Sequence, residues 1–437
     1  MLLVFTHKIT PRVTYVFKHI FENMLELQVK VTSSVEALVA HSGPKMSYTT
    51  KPLGDEFFVA SHPLLFERGI TSHDINIDDW EGVPAFFKTG ENNPIPFDVF
   101  AASFFILSRY EEFLPQIKSP NGHFDPMQSL AFQEGFLELP LVDHWIFKMH
   151  GILTEVFPEI KPLSKGKPQK EILIDVPLVF QYRHRSLLVT LELFLKSLWD
   201  FNFLKIFDQV TALTRLRSDP FDSFSFWNTW FENSSTKPKA FFLYAKSSAY
   251  ESTISTFNRR LQQRIKKMGD DYSLGLLLSV HSQLKSDPEL SKEKKDFQDL
   301  THRQVKMSRI PISYRQLSKV YTDLVDYEFS NDYSMGYSDR IGFRASTATP
   351  FYFYDLTNEF QLPLKVHPVF ATETAIRKGK KIKAFDELNL IYEKLPLPCA
   401  RLTLAIGNGF LHPKKQYQPL QKHSKNMLSD RFTNRIN

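Results

Sequence analysis

Residues 331–355 read Asn-Asp-Tyr-Ser-Met-Gly-Tyr-Ser-Asp-Arg-Ile-Gly-Phe-Arg-Ala-Ser-Thr-Ala-Thr-Pro-Phe-Tyr-Phe-Tyr-Asp, a run dense in Gly, Tyr and Arg. Tyr337 and Phe343 offer flat faces of the kind that stack on sugar rings. Arg340 and Arg344 carry the planar fork that grips a carboxylate through two hydrogen bonds. The same composition also suits a packed loop, with the aromatics in a core and the arginines tying the backbone down. Three further ionisable residues draw attention. Asp175 ends a short apolar strand, His281 follows another, and His184 lies between Arg183 and Arg185 at a helix start. Asp175, His184 and His281 are the residues available for a rearranged divalent-metal site, although a helix-start His between two arginines is more often surface or structural. No Ser–His–Asp order, Gly-rich phosphate loop or His-Glu-x-x-His motif points to another enzyme class.

These residues must be placed by alternating strands and helices. Leu2–Phe5 reads as a strand, and Thr10-Pro11 opens a helix running to about Phe21, with Thr as cap and Pro in the first turn. Short strands and turns are expected over Gly43–Val59. A helix is expected over Phe97–Phe113, its polar end at Arg109, Glu111 and Glu112 facing solvent. Pro158, Pro162 and Pro168 among lysines mark a linker over residues 158–170. Strands follow at 171–175, 240–244 and 272–280, with helices over 186–217, 251–267 and 288–306, an alternation that implies a parallel sheet or barrel. The two helices in 186–217 are rich in Leu and Phe without a dominant basic face, which assigns them to the core rather than to a membrane surface. Residues 413–437 form a polar, basic tail expected to fray.

At 437 residues the chain exceeds what one hydrophobic core usually serves, so two domains are expected. Hydrophobic residues make up 42%, and 40 phenylalanines against 16 glycines describe a globular protein. With 54 basic and 48 acidic residues, the net charge of +6 is too small to argue for nucleic-acid binding. Met1–Phe5 is too short for the apolar core of a secretory signal, and no window approaches the ~18 apolar residues of a membrane span. Cys399 stands alone, which excludes an intrachain disulfide and fits a reducing cytoplasm.

The run 331–355 resembles a segment of a bacterial group of polysaccharide-deacetylase-like proteins (carbohydrate esterases), found mostly in Bacteroidetes. Phe97–Glu112 is similar to the N-terminal domain that precedes the deacetylase-like domain there. Phe241-Phe242-Leu243, Asp287-Pro288-Glu289-Leu290 and Met307-Ser308-Arg309 follow the same order, so the resemblance covers most of residues 97–355. It implies an α/β chain in which an N-terminal α/β domain (1–157) and the linker precede a distorted (β/α) barrel (171–412). It also implies a divalent metal held by one Asp and two His, a second Asp as general base and a late His as general acid, for removing acetyl groups from polysaccharides.

This chain departs from that pattern. Asp175 matches the base position, but Pro177 stands at the metal-ligand Asp, Pro311 at a His and Gly407 at the general acid. Ser279 takes the second ligand-His position, and His281 substitutes only if the strand end shifts by two residues, which preserves the side-chain face. The expectation is a cytoplasmic, catalytically degenerate homologue that binds carbohydrate through residues 337–344, needs no cofactor and has no nucleic-acid partner. An active deacetylase with a rearranged zinc site is the alternative. A third reading is an interaction protein whose Phe-rich surface docks on a partner enzyme.

Overall fold

The computed structural model describes residues 1–90, 93–116, 124–163, 167–231, 237–285, 288–313, 315–378 and 384–411. Four parallel strands, β1 (Leu2–Thr6), β2 (Val29–Thr32), β3 (Lys45–Thr49) and β4 (Phe57–Ala60), form an N-terminal sheet in the order β2-β1-β3-β4. Strand β1 is buried along its whole length, as befits a parallel strand covered on both faces. The first helix starts as expected. Thr10 Oγ1 accepts the Val13 N–H at 3.1 Å, Pro11 occupies the first turn, and the helix Pro11–Phe17 widens into a π-helical turn at Lys18–Met24. A short antiparallel ribbon, β5 (Asp78–Trp80) with β6 (Val83–Ala85), lies beside this sheet in the sequence.

The remaining strands are β7 (Gln169–Val176), β8 (Lys239–Phe242), β9 (Ser273–Leu277), β10 (Met307–Arg309), β11 (Asn331–Met335), β12 (Phe351–Asp355), β13 (Phe360–Pro368), β14 (Ala371–Thr372) and β15 (Arg401–Gly407). They make one nine-stranded sheet in the order β12-β13-β11-β10-β9-β8-β7-β15-β14, parallel throughout except for β12 against β13. The sheet is curled. Val369 N donates to Met335 O at 2.7 Å and Phe370 N to Thr403 O at 2.9 Å, so the residues after β13 bridge β11 and β15 from opposite parts of the strand order. Closure depends on Gly336, where a Cβ would lie 2.4 Å from Val369 O. Leu173, Phe241, Leu277, Tyr333, Val369 and Ala405 fill the interior of the curl. The chain is therefore α/β, as the alternation of its elements implies.

The two sheets are not separately packed. One apolar cluster includes Val4 and Phe17 of the N-terminal lobe with Phe353 and Leu402 of the C-terminal lobe. Tyr15 donates to Tyr352 O at 2.7 Å across the same boundary. Within the sequence-defined linker, Gln169 and Lys170 already belong to β7, while residues 164–166 and the tail 413–437 lie outside the described residues.

Several expected elements differ in the structure. The helix expected at 251–267 forms at Arg259–Asp271, because Asn258 Oδ1 caps it by accepting from Arg260 N and Leu261 N while Glu251 turns to Val280 N. The helix expected to end with its polar residues in solvent stops at Leu107, and Arg109 takes a left-handed conformation (φ 55°) that turns Glu111 and Glu112 inward. The two helices expected in the core form at Leu187–Trp199 and Phe203–Leu213, but Leu187, Leu188, Trp199 and Leu204 are 80% or more exposed. Helical spacing of apolar residues reports a face, not whether anything covers it. Among the described residues no helix is long and apolar enough to cross a membrane.

Candidate functional site

Parallel strands bring their C-terminal ends, and the loops that follow, to one rim of the sheet, where ligands usually bind in such folds. Asp175 lies on this rim as the penultimate residue of β7, in register with Phe241 of β8 on one side and Gly407 of β15 on the other. Arg309, the last residue of β10, reaches across the interior. Its Nε donates to Asp175 Oδ1 at 2.6 Å, and its Nη1 donates to Tyr333 O. The arginine side chain is 2% exposed and the aspartate side chain 17%, so the carboxylate is the part of the pair that meets solvent. Beside them, Gly407 N donates to Glu373 Oε2 at 2.9 Å, and Glu373 occupies the space that a side chain at position 407 would need. Arg377 pairs with Glu373 on the outer side. The rim thus carries two carboxylates, Asp175 and Glu373, each neutralised by its own arginine.

Below the rim the interior is closed by the apolar plug. At the far end, Lys239 pairs with Glu171, Thr403 Oγ1 donates to Glu171 Oε2 at 3.3 Å, and the Tyr333 ring stacks on His367 at 4.2 Å. Burial, followed by Arg401, Lys239 and Lys365, pushes the His367 imidazole well below its ordinary pKa, so it is neutral. Its Nε2 lies 3.0 Å from Asn331 Oδ1.

The three residues considered for a rearranged metal site are not brought together. His184 rests against the Phe180 ring, its pKa lowered first by burial and then by Arg183, Arg260 and Arg215. His281 opens the helix Val280–Lys285, with Tyr250 and Glu251 as neighbours. Asp175 is engaged by Arg309. At the positions where the resemblance expects ligands, Pro177 and Pro311 are exposed and have no donor atom, and Ser279 is fully buried with its Oγ donating to Glu293 Oε1 at 2.5 Å. Among the described residues no group of three His, Cys, Asp or Glu is placed to hold a metal ion. The donors present therefore do not fit a site built from one Asp and two His.

The residues read as a sugar-facing loop lie between the lobes. Phe343 is fully buried against Phe370, with ring centroids 4.5 Å apart, and Tyr337 is 5% exposed under the Arg344 guanidinium at 5.7 Å. Arg344 makes a two-pronged bond to Glu112, Nε to Oε1 at 2.8 Å and Nη2 to Oε2 at 2.7 Å. Arg109 shares Glu112 and also donates to Arg344 O. Arg340, like Arg344, keeps partial exposure, and its guanidinium lies 4.7 Å over the Phe132 ring. The loop's Thr347 and Thr349 hydroxyls each donate to buried Asp143 at 2.6 Å. Phe343, Tyr337 and Arg344 thus have no free face for a sugar and serve to join the lobes. The packed-loop alternative describes them.

Sequence reasoning missed Arg309, Glu112, Asp143 and Glu373. Arg309 lies in the motif Met307-Ser308-Arg309, but nothing in one sequence says which carboxylate an arginine reaches. Glu111 and Glu112 carried a signal in their position at a helix end, which solvent exposure also explains.

The fold and rim define an α/β protein built on a curled, mostly parallel sheet with a neutralised carboxylate at its mouth. Residues 2–158 match the model of a family of unknown function (DUF7033). A solved chain from Mycobacterium smegmatis, assigned as a polysaccharide deacetylase, is similar in structure with a TM-score of 0.36 and 11% identity, over 62% of this chain and 90% of that one. No curated protein matches the chain.

Proposed function

We propose that this chain is a cytoplasmic polysaccharide-deacetylase-like protein with an N-terminal lobe of its own, which binds carbohydrate at the rim of its curled sheet and does not hydrolyse it. The observation that carries this reading is the Asp175–Arg309 pair. Where the motif resemblance calls for a general base beside a metal, the carboxylate is occupied by a guanidinium from β10. The supporting chemistry is subtractive. Pro177, Ser279 and Pro311 stand at the three ligand positions, and Gly407 has no group to protonate a leaving amine, a loss that alone costs about 10²–10⁴-fold in rate. The carboxylates of Asp175 and Glu373, which have acceptor capacity beyond their present partners, supply hydrogen bonding to sugar hydroxyls at the rim.

The test combines elemental analysis of the purified protein with acetate release from acetylated glucosamine oligomers, with and without added zinc, and calorimetric titration of the same oligomers. The expected result is no stoichiometric metal, no turnover, and binding weakened by Asp175→Asn. One equivalent of zinc with turnover abolished by Asp175→Asn would establish the active alternative instead. Absence of any oligomer binding would overturn the carbohydrate assignment.

A further inference from the structure

The helices Leu187–Trp199 and Phe203–Leu213, inserted between β7 and β8, are built inside out. The most deeply buried side chains of the pair are polar or small, with Leu193, Phe194 and Ile206 half-buried. Gln209 Nε2 donates to Thr190 O at 2.8 Å, and Ser197, Thr211 and Ala212 are buried. Outward point the large apolar residues: Leu188 is 81% exposed, Leu191 55%, Trp199 85%, Phe201 79% and Leu204 80%. A helix pair that must sit in water has the reverse arrangement, whereas small and polar contacts inside with apolar surface outside suit a lipid environment. The aromatic residues gather at the turn, where Trp199, Phe201 and Phe203 follow one another closely, the position at which amphipathic rings settle in a headgroup layer. The exposed patch extends to Phe257 (80%), on a segment tied to the start of the hairpin by Arg185 Nη2 donating to Ser252 O at 2.9 Å.

The base of the hairpin is basic. Arg183 and Arg185 precede it, Arg215 and Arg217 follow it, and Arg259 and Arg260 open the neighbouring helix. Arg183 binds Ala212 O and Arg217 O, which holds the two ends together. Asp219 is fully buried and is satisfied by the backbone N–H groups of Gln181, Tyr182, Arg183 and Phe221, and Asp222, which also acts on Arg183, is paired with Arg264.

We propose that this hairpin docks the protein on an anionic phospholipid surface, with its apolar faces at the headgroup–acyl boundary and the arginine collar on the lipid phosphates. A 13-residue helix is about 20 Å long, short of the ~30 Å hydrocarbon layer, and Glu192, Lys196, Asp200, Lys205 and Asp208 are spread along the hairpin. The hairpin therefore lies along the interface, as amphipathic surface helices do, and does not plunge through it. The charge of the collar selects lipid over a second copy of the chain, whose matching face would bring the same arginines together. The inference is independent of the rim chemistry and holds whether or not the protein binds carbohydrate.

The experiment is co-sedimentation of the full chain with vesicles of phosphatidylcholine alone and of phosphatidylcholine containing one-third phosphatidylglycerol, with tryptophan emission recorded in parallel. The expected result is binding to the anionic vesicles with a blue shift in emission that Trp199→Phe removes. The double substitution Leu191→Glu with Leu204→Glu should lower binding by more than about tenfold. Each of Arg215→Gln and Arg259→Gln should lower it by about fivefold. All four positions are solvent-exposed, so an unchanged melting temperature certifies the fold of these variants. A chain that stays in the supernatant with anionic vesicles overturns the proposal. So does a solution dimer that the Leu191→Glu/Leu204→Glu pair converts to monomer. Equal binding to neutral vesicles overturns the role of the collar.

Discussion

Glu112 and Arg344, 232 residues apart in the chain, meet in a two-pronged ion pair at 2.7–2.8 Å that ties the end of an N-terminal helix to the loop between β11 and β12. Arg109 sits on the other side of the same carboxylate and also pairs with Glu111 at 2.7 Å, so two acids balance two arginines at the junction of the lobes.

Removing Glu112 should therefore cost more than removing Arg344. Breaking a buried pair costs about 3–5 kcal/mol by leaving an uncompensated charge. Arg344→Ala still leaves Arg109 to neutralise Glu112 and should fall at the lower end. Glu112→Gln takes the carboxylate from Arg344 while Arg109 keeps only Glu111 of its two acids, and should fall at the upper end. Urea denaturation midpoints of the two variants check the order, and equal losses would mean that Arg109 does not share the charge.

The pH dependence of that junction has a definite sign. Burial alone would raise the Glu112 pKa, but Arg344 and Arg109 outweigh it and hold the carboxyl at about 2, against an ordinary 4.5. A depressed acid contributes stability that is present above about 4.5 and is lost as pH falls towards 2. Comparing thermal midpoints of the parent chain and Glu112→Gln from pH 7 down to 2.5 should show the gap between them closing in that window.

Glu293 acts in the opposite sense. Burial raises its pKa to about 7, although Ser279 and Ser282 favour the charged form. The folded chain then holds a proton that the unfolded chain gives up above about 4.5, so the group reduces stability as pH rises from about 4.5 to about 7. Glu293→Gln should remove that slope and stabilise the protein at pH 8 relative to the parent by an amount on the order of a few kcal/mol. Parallel stability profiles would show that the carboxyl ionises freely in the folded state.

Asp175→Ala strands a guanidinium that is 2% exposed, and among the described residues Arg309 keeps its bond to Tyr333 O alone. A loss of about 2–4 kcal/mol is expected, with part recovered in Asp175→Asn because the amide oxygen still accepts the Nε–H. Chemical denaturation of both variants decides it. Unchanged stability in Asp175→Ala would mean that the pair does not hold the rim together.

Limited proteolysis should cut within residues 158–168, where prolines and lysines cluster, and the two fragments should stay together on gel filtration. The association rests on the shared apolar cluster and on the Arg12–Glu359, Tyr15–Tyr352 and Glu112–Arg344 contacts. Fragments that separate without denaturant would show that each lobe carries a sufficient core of its own.

Local chemistry was legible in the sequence. The Thr10-Pro11 helix start, the apolar strands ending at Asp175 and beginning at Ala240, and the α/β alternation depend on propensities and periods that act over a few residues, and they stand in the structure. Partnership over long distances was not legible. Asp175 meets Arg309 across 134 positions, and Arg344 finds Glu112 rather than a ligand, because an arginine fork binds any carboxylate that the fold delivers and the sequence carries no record of delivery. Burial divided the apolar residues in the same way. The Tyr/Phe-bearing run 331–355 and the Leu/Phe-rich run 186–217 both carry large apolar side chains, yet those of the first are mostly buried and many of those of the second are exposed. Amphipathic periodicity specifies that a helix has an apolar face; only the tertiary structure decides whether protein covers that face or leaves it to the surroundings.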